Sequence, residues 1–305
     1  MALWFARAVA LHCMLCFAQV AWADDATTTT YGPAKGTLVI IGGGNAEGTG
    51  IMERFIQLGG GAEDGKFVIV PTAGGNKNRD GSIKAYNEEQ VVAGWKRRGV
   101  KNVKMLHTAD PKVADTEDFV KPLLDATAVW FDGGRQWNIV DSYAGTRTQA
   151  EFTRVLERGG VIGGSSAGAT IQGDYLVRGD TSGPDVMMTA EKNHQHGFAY
   201  LKHSAIDQHI NTRLRWDDLI QDVKKYPDIL GIGLSEGTAI IVKGDQFEVM
   251  GRWKVAVHDN HRVYEPWEKP YYVLSAGDVY DMKERRVVKY GIGAATTGAR
   301  ARGPR

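Results

Sequence analysis

GVIGGSSAG, residues 160–168, is the stretch of this sequence that most constrains the fold. It begins as a short apolar run and ends in the pattern G-x-S-x-G, from Gly164 to Gly168, before further small residues that suit the start of a helix. A serine in a sharp turn between a strand and a helix needs glycine on both sides, because Cβ atoms would clash there. The stretch therefore predicts a strand, a strained turn at Ser166 and a helix.

The same alternation of short apolar runs and helix-compatible stretches continues on the N-terminal side of this segment. The apolar runs are residues 36–41, 66–70, 103–106 and 128–131. Strands that alternate with helical patterns are typical of a parallel sheet with helices on both faces. We therefore predict an α/β fold with a doubly wound, mostly parallel sheet.

The pattern changes after residue 204, where strand-like runs follow one another at hairpin spacing. They are residues 231–234, 238–242, 246–249, 255–257 and 271–274. This spacing predicts an antiparallel C-terminal extension of the sheet within one domain of residues 36–290. Residues 291–305, rich in Gly, Ala and Arg, are predicted to form a flexible tail.

The N-terminus has the pattern of a targeting segment. Residues 1–23 combine one positive charge, an apolar region and an A-x-A-like cleavage site, which is typical of a secretory signal peptide. We therefore expect a secreted or periplasmic protein that has no membrane anchor after cleavage. Residues 24–35, with four consecutive threonines, are predicted to be a disordered linker.

Composition then excludes several function classes. Cleavage would leave 282 of the 305 residues and remove both cysteines, Cys13 and Cys16, so a cysteine nucleophile and a disulfide are excluded. The formal net charge is +1, and loss of Arg7 balances 36 basic against 36 acidic residues. This balance argues against nucleic acid as the main partner, since phosphate binding usually requires a basic excess.

The glycine-rich loop after the first predicted strand has two interpretations. Residues 42–48, GGGNAEG, resemble a dinucleotide-binding fingerprint, but Glu47 stands where the third glycine is required. We therefore favour a tight turn at the carboxyl edge of the sheet over a nucleotide site.

A serine nucleophile needs a base, and seven histidines remain after residue 23. His209 follows a short apolar run, which predicts that it lies at the same sheet edge as Ser166. Glu236 ends another apolar run and is the candidate carboxylate that orients the imidazole. His194 and His196 form an H-x-H pair that would suit a metal, but no third ligand is evident, so we predict no metal and no cofactor.

Taken together, these segments resemble the cyanophycinase and dipeptidase E-like serine peptidases, and most closely cyanophycinase. The resemblance covers residues 36–251 and is carried by GGSSAGA at 163–169, Asp207-Gln208-His209 and GIGLSEGTA at 231–239. Pro71-Thr72-Ala73 and the segment Phe131–Gln136 also fit.

The resemblance implies a fold, a mechanism and a substrate class. It implies a fold like that of class I glutamine amidotransferases, with Ser166 as nucleophile, His209 as base and Glu236 as orienting acid. It further implies hydrolysis of β-aspartyl linkages, as in the aspartate–arginine polymer cyanophycin, without metal or cofactor. It also favours a homodimer.

Further residues complete the predicted site. The oxyanion hole needs two amide donors, which we assign to Ala167, after the nucleophile, and to Gly133 or Gly134 in the loop after a strand. Arg213 and Arg215 are predicted to start a helix after His209 and to face the cleft. The full set of predicted substrate-binding residues is Gln136, Asp207, Gln208, Arg213 and Arg215.

Three positions depart from the family pattern. Arg135 stands where cyanophycinases typically carry aspartate, Ile210 where they carry an aromatic residue, and Asp218 where they carry a third arginine. Two arginines can still bind a carboxylate. The substrate is therefore either cyanophycin or a related acidic or isoaspartyl peptide.

Two other function classes stay open. A secreted esterase or lipase of the α/β-hydrolase type would have the order serine, acid, histidine, and so would need His258 or His261 as base. A non-catalytic binding module on the same fold would not use Ser166, His209 and Glu236 together.

Overall fold

The computed structural model describes residues 30–291 except 79 and 83. The predicted signal peptide, the first part of the predicted linker and nearly all of the predicted tail lie outside the described residues. The last part of the linker differs from the prediction, because Tyr31 is buried and the amides of Thr30 and Tyr31 both donate to Asp245 Oδ1 at 2.8 Å. Residues 30–32 are therefore packed against the domain.

The larger of two sheets has nine strands and is parallel in one half and antiparallel in the other. Its order is β14-β13-β10-β9-β1-β5-β4-β2-β3, and the half from β1 to β3 is parallel. The bounds are β1 (Thr37–Ile41), β2 (Lys66–Val70), β3 (Asn102–Met105), β4 (Ala128–Phe131), β5 (Val161–Ser165), β9 (Thr238–Lys243), β10 (Gln246–Gly251), β13 (Val279–Asp281) and β14 (Arg286–Lys289).

Five strands form a second, separate sheet. Three of them, β8, β11 and β12, belong to the segment that we predicted to extend the first sheet. The order of the second sheet is β12-β11-β8-β7-β6, with β6, β7 and β8 parallel and β11 and β12 antiparallel. The bounds are β6 (Gly173–Tyr175), β7 (Leu201–Gln208), β8 (Leu230–Leu234), β11 (Val255–His258) and β12 (Tyr272–Leu274). The predicted α/β class with parallel strands is confirmed, while the antiparallel extension is divided between two sheets.

Helices cover both faces of the larger sheet. They are α1 (Ile51–Leu58), α2 (Gly61–Asp64), α3 (Glu88–Arg97), α4 (Pro111–Ala114), α5 (Glu117–Val120), α6 (Gln136–Tyr143), α7 (Arg147–Glu157), α8 (Ala167–Thr170) and α9 (Ile220–Lys225), with short 3₁₀ turns at Thr72–Gly74, Lys121–Leu123 and Lys192–His194. In the part of the chain that the structure describes, no helix is both long and apolar enough to cross a membrane.

The core explains why polar and apolar residues do not alternate along the central strands. All of β4 and β8, and all but the last residue of β5, are buried, as expected for strands covered on both faces. One core cluster joins the face under α6 and α7 to the second sheet, and another lies under α1 and α3. The carboxyl ends of β1, β5, β7 and β8 consequently meet, and they position the candidate site.

Candidate active site

Ser166 lies in the predicted turn between β5 and α8. Its backbone has φ 57° and ψ −116°, a positive-φ conformation that is rare for a residue with a side chain. A Cβ atom on Gly164 would lie 2.2 Å from the Gly168 carbonyl oxygen, and one on Gly168 would lie 2.0 Å from that of Phe131. The two glycines therefore allow the close backbone packing that exposes the serine hydroxyl.

His209 and Glu236 complete a continuous chain of side-chain contacts from Ser166. Ser166 Oγ lies 2.9 Å from His209 Nε2, and His209 Nδ1 lies 2.6 Å from Glu236 Oε1. The three residues follow β5, β7 and β8, respectively. The serine follows a strand of the nine-stranded sheet, and the histidine follows a strand of the five-stranded sheet. Our prediction that both lie at the edge of one sheet is therefore wrong.

The glycine loop after β1 joins the two sheets at this point. The carbonyl of Gly42 accepts from the His209 amide at 2.8 Å, and that of Gly43 accepts from the Gly237 amide at 2.9 Å. A Cβ on Gly43 would lie 2.2 Å from His209 Cε1, and one on Gly44 would lie 2.6 Å from Glu236 Oε2. This loop thus seats the imidazole and the carboxylate, which accounts for its glycines without a nucleotide.

Two residues that the sequence analysis did not identify hold the carboxylate. Thr212 Oγ1 donates to Glu236 Oε1 at 3.0 Å, and Asn211 Oδ1 accepts from the Glu236 amide at 2.9 Å. They lie two and three residues after His209, in the turn that the chain makes after β7. Their position close to the candidate base His209 was the one feature of the sequence that could have identified them as site residues.

The environment favours the neutral form of the imidazole and the charged form of the carboxylate. Burial lowers the pKa of His209 below its ordinary value of 6.5, the hydrogen bond to Glu236 opposes this, and the nearby Arg213 lowers the pKa further. Burial disfavours the charged form of Glu236, but hydrogen bonds from His209 and Thr212 outweigh it and lower its pKa. A neutral imidazole held by a carboxylate can accept the proton of a serine hydroxyl.

A cleft of about 280 Å³ opens beside Ser166. Gly134 lines it, and a Cβ on Gly133 would lie 3.3 Å from Ser166 Cβ, so this loop approaches the serine closely. Ala167 is buried at the first position of α8. The amides assigned to the oxyanion hole therefore lie around the serine, and their role stays a prediction.

The predicted substrate-binding residues fall into two groups. Gln136, Gln208 and Arg213 line the cleft, although the Gln136 amide nitrogen is already used by the carbonyls of residues 177 and 178, each at 2.8 Å. Asp207 is fully buried and Arg215 is 8% exposed, and both lie behind the cleft wall. For these two residues the structure does not support direct substrate contact.

The predicted helix after His209 is also wrong at its start. Residues 210–219 form turns, and regular helix begins only at Ile220. Leu214 has φ 54°, and the Arg215 amide donates to the Ile210 carbonyl at 2.9 Å, five residues back. A left-handed residue interrupts the helical pattern and turns Arg215 inward, while Arg213 stays in the cleft.

Arg178, which the sequence analysis missed, forms the centre of a buried charge cluster. Its guanidinium makes a bidentate pair with Asp207, with Nε–Oδ1 at 2.9 Å and Nη2–Oδ2 at 3.1 Å, and it also contacts Asp218. Nη1 donates to the carbonyl of Pro184, which also lines the cleft. Asp218 thus pairs with an arginine from elsewhere in the chain.

This cluster gives a stability prediction. Arg178→Met leaves Asp207 as a fully buried carboxylate without its bidentate partner, and we expect a loss of about 3–5 kcal/mol in the free energy of unfolding. Urea denaturation followed by circular dichroism measures it. The control is Lys66→Met, which breaks an ion pair with Asp125 whose side chains are 51% and 66% exposed, where we expect 1 kcal/mol or less, about the value of a surface pair. If both variants lost the same free energy of unfolding, burial of the Arg178–Asp207 pair would not be what makes its disruption costly.

The two histidines considered for a metal have separate partners. His194 is buried between Asp141 and Glu191, with ring nitrogens 2.7 Å and 2.6 Å from their carboxylates, while His196 is exposed near Asp174. Burial disfavours the charged imidazole of His194, but the two carboxylates outweigh it and raise its pKa. Within residues 30–291, leaving out 79 and 83, no group of three or more histidine or acidic side chains is arranged to hold a metal ion.

The histidines of the esterase alternative lie in other surroundings. His258 ends β11, is buried, and packs on Tyr271 with ring centroids 4.8 Å apart; burial lowers its pKa to about 4. His261 Nε2 lies 3.6 Å from Asp228 Oδ1. The histidine that contacts Ser166 Oγ is His209.

Comparison with known proteins places the chain in a family. Residues 38–250 match the family described as Peptidase family S51. A cyanophycinase from Geminocystis herdmanii is 27% identical over 229 residues, 74% of this chain and 81% of the relative. A cyanophycinase from Synechococcus elongatus is 26% identical over 280 residues, 86% of this chain and 84% of the relative.

A solved structure agrees in fold. The crystal structure of a peptidase from an acI-B1 Actinobacterium superposes with a TM-score of 0.61 at 21% identity, covering 81% of this chain and 97% of that one. The resemblance identified from the sequence motifs is confirmed. The chain belongs to peptidase family S51 and is a serine-type peptidase.

Proposed function

We propose that this chain hydrolyses β-aspartyl linkages, with Ser166 as nucleophile, His209 as general base and Glu236 as the carboxylate that orients the imidazole. The observation that carries this proposal is the unbroken contact from Ser166 Oγ through the ring of His209 to Glu236 Oε1. His209 Nε2 takes the serine proton as Oγ attacks the carbonyl carbon, and then delivers it to the leaving amine. Water hydrolyses the acyl-enzyme by the same route.

The developing oxyanion needs donors in place before the reaction. The amides of Ala167 and of Gly133 or Gly134 are the candidates, since both segments lie against Ser166. Because these donors are main-chain groups fixed by β4, β5 and α8, they require no reorganisation as charge develops.

The choice of substrate class rests on charge and on the relatives. A β-aspartyl linkage leaves a free α-carboxylate close to the scissile amide, and the guanidinium of Arg213 in the cleft suits such a group. The curated relatives named cyanophycinase support an aspartyl substrate. No metal or cofactor takes part in the proposed mechanism.

The direct test is incubation of the protein with cyanophycin and with short β-aspartyl peptides, followed by mass spectrometry of the products. The matched controls are the α-aspartyl isomers, which have the same composition, and we expect cleavage of the β-isomers. Equal cleavage of both isomers, or hydrolysis of simple esters alone, would reject the proposal.

Two short experiments separate the alternatives. A fluorophosphonate probe should label Ser166, and a native protein that never labels would favour a binding module. His209→Asn should abolish turnover while His258→Asn retains it, and the opposite result would favour the esterase arrangement.

The glycine loop gives a prediction about turnover. Gly43→Ala places a methyl group where the His209 ring now lies, so the imidazole must move away from Ser166. Displacement of a catalytic group by about 1 Å costs roughly 100-fold, and we expect kcat to fall by about that factor or more. Steady-state kinetics on a β-aspartyl peptide measure it.

The control for this variant is Gly48→Ala in the same loop. Gly48 also has positive φ, +68°, but its added Cβ would meet only Arg252 Nη2, at 3.6 Å. It therefore imposes backbone strain without touching His209. Equal losses of kcat in both variants would show that strain, and not the position of the imidazole, lowers activity.

The pH dependence should follow the neutral form of His209. Since its pKa lies below 6.5, we expect kcat/KM to rise with pH through one ionisation below that value. Arg213→Gln removes a positive charge that lowers this pKa, so the rise should move to higher pH. Profiles of kcat/KM from pH 4 to 8 for the wild-type and Arg213→Gln proteins test the direction of this shift, and Arg97→Gln serves as the surface control. A shift to lower pH would contradict it.

We also propose cleavage after residue 23 and export of the mature protein. N-terminal sequencing of protein recovered from the periplasm or medium should begin at Asp24. Retention of residues 1–23 in the recovered protein would reject this. The homodimer stays a prediction, which light scattering tests.

A further inference from the structure

The cleft beside Ser166 has an unbalanced set of charges. Three of its lining side chains are arginines, Arg135, Arg178 and Arg213, and none of the described residues that line it is a carboxylate. A ligand in the cleft therefore lies near several positive groups. The ligand that the cleft binds depends on which of these arginines already has a carboxylate partner in the protein.

Arg178 is neutralised by the protein itself. Both oxygens of Asp207 and one of Asp218 accept from its Nε and Nη2, and Nη1 donates to the Pro184 carbonyl. Its side chain is 3% exposed. Arg178 consequently holds the cleft wall in place and adds little net charge to it.

Arg135 and Arg213 have different surroundings from Arg178. Among the residues that the structure describes, no carboxylate lies within ion-pair distance, 4 Å, of either guanidinium. Arg135 lies over the ring of Trp137, 5.5 Å from its centroid, which orients the group without neutralising it. Both side chains are exposed and so accessible to a ligand.

The two free guanidiniums come from different walls. Arg135 follows Gly134 in the loop after β4, and Arg213 lies in the turns after β7. The proposed function assigns Arg213 to the α-carboxylate of the aspartyl residue, which leaves Arg135 for a carboxylate on the far side of the scissile bond. A ligand with one carboxylate can satisfy one of them. A ligand with carboxylates on both sides of the reacting carbonyl can satisfy both.

We propose that this cleft selects β-aspartyl peptides whose residue beyond the scissile bond has an acidic side chain, and that Arg135 and Arg213 are its specificity-determining residues. This inference rests on the proposed function. It also predicts discrimination against peptides with a cationic residue at that position, because a guanidinium or ammonium there meets arginine and no carboxylate in the cleft.

The test uses three β-aspartyl peptides that differ only in the residue beyond the scissile bond, which is glutamate, glutamine or arginine. We expect kcat/KM to fall in that order, with the glutamate peptide about 10- to 100-fold above the arginine peptide, the size of one charge-assisted hydrogen-bonded pair. Arg135→Glu should reverse the order, and Arg135→Gln should reduce the difference. Arg97→Glu, an exposed change on α3, is the matched control and should preserve the order.

A binding measurement separates this inference from the proposed reaction. Isothermal titration of the Ser166→Ala protein with the same peptides reports the charge preference without turnover. Tight binding of the glutamate peptide, reversed by Arg135→Glu in this background, supports the inference even if the wild-type protein cleaves none of the three. Cleavage and binding of the arginine peptide as good as those of the glutamate peptide overturn it and leave the proposed function standing. If no peptide binds, both fail.

Discussion

Ser166→Ala should reduce hydrolysis of a β-aspartyl peptide by about 10⁶-fold in kcat, the loss typical when the nucleophile of a catalytic triad is removed. The hydroxyl oxygen is the attacking atom in the proposed mechanism, and it lies 2.9 Å from the imidazole that would accept its proton. Residual activity would come from the oxyanion hole and from binding, about 10³-fold above the reaction in water.

The fold should survive this substitution, since alanine has the same Cβ atom in the turn between β5 and α8. Ser165→Ala is the matched control, because Ser165 ends β5 next to the nucleophile and makes no contact with His209 among the described hydrogen bonds. Circular dichroism and thermal melting check folding, and product formation checks activity. Near-native turnover of the Ser166→Ala protein would remove this serine from the mechanism.

Local sequence patterns predicted the parallel part of the fold well. The runs at 66–70 and 128–131 became β2 and β4 with the same bounds, and the run at 36–41 became β1, which begins one residue later, because strands buried on both faces read as continuous apolar segments. The turn at Ser166 was equally readable, since only glycine fits the positions around it.

The division into two sheets was not predictable in this way. β8 has the same apolar character as β1 and β5, and the end of β7 is buried like them, so nothing in a local pattern states which strands pair. The contacts that decide it, such as that of the His209 amide with the Gly42 carbonyl, join residues far apart in sequence. His209 and Glu236 were identified as candidates because each ends an apolar run, whichever sheet that run enters.

The buried charge cluster shows the other limit of sequence reasoning. Asp218 was first interpreted as the loss of an arginine, yet in the fold it accepts from Arg178, forty residues earlier in the chain. Asp207 was expected to contact substrate, yet it is fully buried against the same guanidinium. Composition and motif spacing identify charged residues, but which charges neutralise one another depends on the tertiary structure.

Glu236→Gln should lower kcat by about 10⁴-fold, the cost seen when the orienting carboxylate of a triad becomes an amide. Glu236 Oε1 faces His209 Nδ1 at 2.6 Å and Thr212 Oγ1 at 3.0 Å. If the amide nitrogen turns toward His209, it donates to Nδ1 and forces the proton onto Nε2, which then cannot accept the proton of Ser166. If the amide oxygen faces His209 instead, the tautomer is kept but the charge that stabilises the imidazolium is lost.

A pH profile distinguishes this role from a structural one. The carboxylate raises the pKa of His209, so its removal should lower that pKa further and move the rise in kcat/KM to lower pH, opposite to the shift expected for Arg213→Gln. Glu157→Gln, an exposed change at the end of α7, is the matched control and should leave both kcat and the profile unchanged. A Glu236→Gln protein that retains turnover within tenfold of wild type, with an unshifted profile, would show that this carboxylate only stabilises the turn after β8.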